Sequence, residues 1–157
     1  MTSDTSGEQL QRLADALRAE TGASRTTVRG RRGDDPVALL AESLAPGAES
    51  MADGQQPAAI TAAPTYLVLS QTRAILVQDD CVNQGPRPPR SMIERYRVHA
   101  QMVAPVLDGE GLIGTVSVHQ QDTTRHWSQA DIAALRRVQA EVTAILTRPG
   151  ESTVPAI

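Results

Sequence analysis

AQMVAPVLDGEGLIGTVSVHQ, residues Ala100–Gln120, is the stretch whose reading decides the fold. Two apolar runs, Ala100–Leu107 and Leu112–Gln120, flank Asp108-Gly109-Glu110-Gly111, whose glycines and acidic residues suit the turn of a β-hairpin. In the second run Leu112, Gly114, Val116 and Val118 share one face, and Ile113, Thr115, Ser117 and His119 share the other. One face is apolar and the other mostly polar. This division assumes that the turn introduces no bulge, because a one-residue slip moves residues of one strand to the opposite face.

Helices are expected on both flanks. C-terminal to the hairpin, Ser128 is an N-cap, Asp131 places its charge in the first turn, and Trp127 staples onto Ile132. Ile132, Leu135, Val138, Val142, Ile145 and Leu146 then form an apolar stripe that Pro149 stops. At the other end of the chain, Ser6 and Gln9 form a capping box ahead of Leu10, Leu13 and Leu17, and Gly22 suits the residue after the helix. Residues 1–6 and 149–157 are expected to be disordered tails around one domain, 7–148.

Between these helices, Ser24–Arg31 alternates as a strand, with Arg25, Thr27 and Arg29 on one face and Thr26 and Val28 on the other. Pro36–Ala45 fits a strand or a short helix, and the turn-like Arg31–Asp35 favours the strand. Gly47–Pro57 reads as a loop, Thr65–Gln71 as helical turns behind Pro64, and Ala74–Gln78 as a short strand running into Asp79-Asp80-Cys81. Asn83–Arg90, with Gly85 and three prolines, excludes regular structure and is a candidate lid. Ser91 and Glu94 repeat the capping-box spacing for a short helix to about Arg97.

The composition narrows the functional classes. The chain has 157 residues, and two Tyr, one Trp and no Phe make its core aliphatic and leave no stacking platform for single-stranded nucleic acid. A net charge of −3 also argues against a phosphate-backbone binder, and the basic runs Arg29–Arg32 and Arg87–Arg90 read as solvated loops. One cysteine, Cys81, excludes an intramolecular disulfide and a zinc knuckle. With no apolar signal core and no apolar run of about 20 residues, the expectation is a cytoplasmic protein without a membrane partner.

In register, Ile75–Asp80, Gln101–Val106, Gly109–Val118 and Trp127–Leu135 resemble four successive motifs of the GAF domain family, over about residues 8–148. The resemblance implies an α+β fold: a central antiparallel sheet of five to six strands, the N- and C-terminal helices on one face and a ligand pocket on the other. It also implies that the first strand lies beside the last, which makes their polar faces contiguous. Two subtypes do not fit: Cys81 is followed by Val82, where phytochrome-type bilin carriers have a Cys followed by His, and the Phe-containing cyclic-nucleotide pattern is missing. Members that reduce methionine sulfoxide use more than one cysteine.

The expected pocket floor carries Arg25, Thr27, Arg29, Thr115, Ser117 and His119, with Tyr96 and His99 as further ligand-binding candidates. Guanidinium forks bind carboxylate, nitrate or phosphate oxygens. Two functions follow. One is a sensor module for a small anionic or carboxylated metabolite, homodimeric through its terminal helices and signalling through a separate output protein. The other is a small hydrolase or isomerase, with His99 or His119 as general base, Asp79 or Asp80 as its orienting carboxylate and Arg25 or Arg29 as substrate clamp. No cofactor and no metal site are expected. Each residue also has a structural reading: Asp79 and Asp80 accept loop hydrogen bonds, His99 caps a helix, His126 sits in a loop, and Cys81 is an unreactive small residue.

Overall fold

The computed structural model describes residues 5–148; the expected tails at 1–4 and 149–157 lie outside the described residues. Helix α1 (Ser6–Thr21) is capped one residue earlier than the Ser6/Gln9 reading, so Thr5 and Ser6 belong to the helix and its cap. Glu8 N donates to Thr5 Oγ1 at 3.1 Å and Thr5 N donates to Glu8 Oε1 at 2.8 Å, a capping box in the adjacent frame. Gly22 ends the helix at φ 68°, a left-handed conformation that glycine adopts without steric cost.

Strands β1 (Arg25–Arg32) and β2 (Asp35–Leu44) form the first hairpin. Pro57 and Pro64 each stand at the start of a short helix, α2 (Pro57–Thr61) and α3 (Pro64–Thr72), where a missing N–H costs nothing. Strand β3 (Leu76–Gln78) and helix α4 (Arg90–Glu94) follow. The Ser91/Glu94 capping box does not form: Pro89 is the N-cap residue, so Ser91 falls inside the first turn, and the helix stops short of Arg97. The long hairpin of β4 (Val98–Asp108) and β5 (Gly111–Gln121) leads to α5 (Gln129–Leu146), where Ser128 and Asp131 make the second capping box.

The five strands form one sheet in the order β2-β1-β5-β4-β3, each neighbouring pair antiparallel. This is the α+β architecture expected. Helices α1 and α5 cover one face, where Leu17, Val28, Met102, Val116 and Leu135 close the main core. On the other face α2, α3 and α4 pack against the sheet. No helix among the described residues is long and apolar enough to cross a membrane.

The hairpin does carry a bulge. Gly114 pairs with Val106 and Leu112 with Leu107, so Ile113 is the extra residue. Its side chain packs on the α1/α5 core, not on the polar face to which strict alternation assigned it. From Gly114 to His119 the pairing is regular, and the alternation that orients Thr115, Ser117 and His119 is undisturbed. A second irregularity lies between Val98 and Ala100, where His99 is the extra residue.

Candidate functional site

The first and last strands are neighbours. Arg25 is paired with His119, Thr27 with Ser117 and Arg29 with Thr115. Because strand side chains alternate, these six residues share the face away from α1 and α5. Thr27, Arg29, Thr115, Ser117 and His119 line a cavity of about 50 Å³ between the sheet and the short helices. Ile60, Leu69, Met92 and Val103 give it an apolar wall, and Pro89 brings in the end of the Asn83–Arg90 segment. That segment is docked: Thr65 N donates to Arg87 O at 3.2 Å, and Gln78 Nε2 donates to Pro86 O at 2.7 Å.

Among the described residues, Arg29 is the only charged group in the lining. Its Nη1 donates to Val37 O at 2.9 Å and its Nη2 to Gln55 Oε1. Burial lowers its pKa, and Glu42 followed by Asp35 partly offsets that effect. A guanidinium nonetheless keeps its proton in proteins.

Arg25 has no exposed surface and lies outside the lining, behind His119. Its Nη2 donates to Glu49 O at 2.7 Å and to Gln121 Oε1 at 3.0 Å, and its Nη1 lies 3.4 Å from His119 Nδ1. Its Nε stands 3.9 Å from Glu42 Oε2, and Tyr96 stacks on the guanidinium with the ring centroid 5.5 Å away. Tyr96 is buried and outside the lining; it supports Arg25.

The contact with Arg25 sets the state of His119. An arginine can only donate, so Nδ1 of His119 accepts and the ring proton resides on Nε2. Burial holds the imidazole pKa well below its usual value, and Arg25 and Arg29 push it the same way. His119, one of the residues that line the cavity, is therefore a neutral imidazole with its proton on Nε2. That Nε2 is buried and has no hydrogen-bond partner among the described residues.

The remaining candidates gather elsewhere. His99, displaced by the bulge, turns to Asp80, with Nε2 3.3 Å from Oδ1. Asp80 chiefly closes its own loop: Oδ1 accepts from Val82 N at 3.2 Å and Asn83 N at 3.0 Å, and Oδ2 from Asn83 Nδ2 at 3.0 Å. The bonds from Asn83 keep its carboxyl below the usual range. Asp79 meets the exposed His126, Nδ1 to Oδ2 3.0 Å. Neither histidine–aspartate pair lines the cavity. Cys81 is buried beside Met51, Tyr96 and Val98, also outside the lining, and burial raises its thiol to about 11.

The sequence reading missed Gln101. It pairs with His119, is almost fully buried and lines the cavity. The signal lay in the alternation of its own strand, where Gln101, Val103 and Pro105 share the face opposite Met102, Ala104 and Val106.

The sequence model of the GAF domain family matches residues 7–146. No curated protein matches the chain at a significant level. Among solved structures, the photoproduct state of a GAF domain from Synechocystis sp. PCC6803 is similar over 88% of this chain and 91% of its own, with 20% identity and a TM-score of 0.67. The chromophore-binding domain of a bacteriophytochrome from R. palustris is similar over 92% of this chain and 56% of its own, with 18% identity and a TM-score of 0.73. A far-red absorbing dark state with bound biliverdin IXa is similar over 91% of this chain and 89% of its own, with 21% identity and a TM-score of 0.68. At these identities the likeness is one of fold.

Proposed function

The chain belongs to the GAF domain family, and we propose that it is a binding module for a compact anionic ligand, a short carboxylate in particular. The observation that carries this reading is the cavity lining. Among the described residues a guanidinium is its one charged group, hydroxyls from Thr27, Thr115 and Ser117 share the lining, and no carboxylate does. Half-buried positive charge next to hydroxyl donors favours an oxygen anion over a neutral or cationic guest.

Size limits the ligand. Drug-sized sites typically occupy about 300–1,000 Å³, and this cavity is about 50 Å³. One structural relative holds biliverdin, but a linear tetrapyrrole is far larger than this space, and Cys81 is not at its wall. The apolar wall of Ile60, Leu69 and Met92 suits a short aliphatic tail. On this reading α1 and α5 serve as the surface for a second copy of the chain, and output goes to a separate protein.

Calorimetric and thermal-shift titration with sodium acetate, propionate, nitrate and phosphate, at constant ionic strength against chloride, tests the proposal. Acetate or propionate is expected to raise the melting temperature saturably. Arg29→Met should weaken that binding at least about tenfold, the scale of losing a charge-assisted hydrogen bond, and Arg29→Lys should recover part of it. Stabilisation by none of these anions overturns the reading.

A further inference from the structure

Two residues on neighbouring strands that line the cavity carry buried polar atoms without a partner among the described residues: Nε2 of His119 and Oε1 of Gln101. Each residue is 1% exposed, and the two are paired across β4 and β5. Buried polar atoms normally find partners, and leaving one without a partner costs more than a typical hydrogen bond gains. The pair therefore points to a ligand group that supplies what both atoms lack.

What each atom lacks is fixed by a relay that ends in a group with a single role. Behind His119 stands Arg25, which can only donate. It assigns the acceptor role to Nδ1 and leaves Nε2–H as a donor. Behind Gln101 stands Gln78, and behind Gln78 the carbonyl of Pro86, which can only accept. The Pro86 carbonyl takes the amide N–H of Gln78 at 2.7 Å, so Oε1 of Gln78 takes the amide N–H of Gln101 at 2.8 Å. Oε1 of Gln101 is thereby left as an acceptor. Reversing either amide would set two donors or two acceptors against each other along the relay.

We propose that the site selects a short carboxylate that also carries a hydroxyl on the adjacent carbon, a 2-hydroxy acid, with His119 Nε2–H donating to the carboxylate and Gln101 Oε1 accepting from the hydroxyl. The proposal rests on the reading of the cavity as a carboxylate site and adds a second requirement to it. A plain carboxylate satisfies His119 and leaves Gln101 without a partner; the substituted acid satisfies both. Sites built to bond a polar substituent discriminate strongly against the analogue without it.

Matched pairs separate this proposal from the one beneath it. Acetate against glycolate and propionate against L-lactate are titrated calorimetrically into the full chain. At least one substituted acid is expected to bind about tenfold or more tightly than its parent, the scale of satisfying one buried acceptor. Gln101→Met, which keeps the length of the side chain and removes its carbonyl, should reduce that ratio to about one while the parent acid still binds. Equal affinity within every pair in the wild-type protein overturns the selectivity and leaves the carboxylate site standing. Binding of no acid overturns both. Because the wild-type ratio is decisive alone, the outcome stands even if Gln101→Met fails to fold.

Discussion

The two faces of the β1–β5 pair are cut from alternate residues of the same strands, yet they solve opposite problems. Toward α1 and α5, Val28, Val116 and Val118 are buried against aliphatic helix residues, and the one hydroxyl among them, Thr26 Oγ1, donates to Ala14 O at 2.6 Å. That face is closed and satisfied. Toward the short helices, Arg25, Thr27, Ser117 and His119 are nearly as deeply buried, but the row ends in polar atoms without partners. Equal burial with unequal satisfaction distinguishes a core from a site: the first face gives its free energy to folding, and the second holds polar capacity in reserve for a guest.

The sharpest way to break this contrast is to damage the core alone. Leu135 has no exposed surface and belongs to the α1/α5 core. Leu135→Ala is expected to cost about 2–5 kcal/mol of unfolding free energy, the range for a buried leucine truncation, measured by urea unfolding. The relative affinities of the folded variant for the short acids should be unchanged. A reordering of those affinities would mean that the two faces share one packing network.

Much of this contrast was legible from residue spacing. Alternation in Leu112–His119 and Arg25–Arg29 orients a side chain wherever pairing is regular, and from Gly114 to His119 it is. It fails at Ile113 because a bulge adds a residue without leaving a mark in hydrophobicity, and a second bulge holds His99, which alternation did not place. That is why His99 reaches Asp80 and not the cavity. The Ser6/Gln9 capping box failed for a different reason. Two adjacent frames, Thr5/Glu8 and Ser6/Gln9, both satisfy the pattern, and only the backbone decides between them. The relay that polarises Gln101 was out of reach, since it joins Gln78 and Pro86 through a loop whose path no local pattern encodes.

The polar face should also reveal itself through pH, which the apolar face cannot. In the folded protein His119 is held neutral, by burial first and then by Arg25 and Arg29. In the unfolded chain it titrates near ~6.5. Below that pH the unfolded state takes up a proton that the folded state refuses, so the contribution is complete above ~6.5 and declines by about 1.4 kcal/mol per pH unit beneath it. Between pH 7.5 and 5.5 the wild-type protein should lose about 1.4 kcal/mol more than His119→Gln, with unfolding free energies compared at the two pH values. Identical losses would mean that His119 accepts a proton in place, which could go only to Nδ1, and the assignment of Nδ1 as the acceptor from Arg25 would fall with it.

The smallest expected effect sharpens the contrast from within the pocket side. Cys81 lies on that side of the sheet, yet it belongs to an apolar cluster with Met51, Tyr96 and Val98, its N–H donates to His99 O at 2.8 Å, and it is outside the cavity lining. Position on the polar side does not make a residue part of the site; lining the cavity does. Burial raises the thiol from 9.0 to about 11, so near pH 8 the reactive thiolate is about a hundredfold scarcer than for an unshifted thiol. Iodoacetamide should therefore label the native protein at least about a hundredfold more slowly than the urea-unfolded chain, followed by intact-mass measurement. Cys81→Ala should cost only about 1 kcal/mol, the scale of one buried methylene, and leave both the pH term and the acid affinities unchanged. Labelling as fast in the native protein as in urea would show that this cluster opens readily, and the short helices could not then hold a closed wall over the cavity.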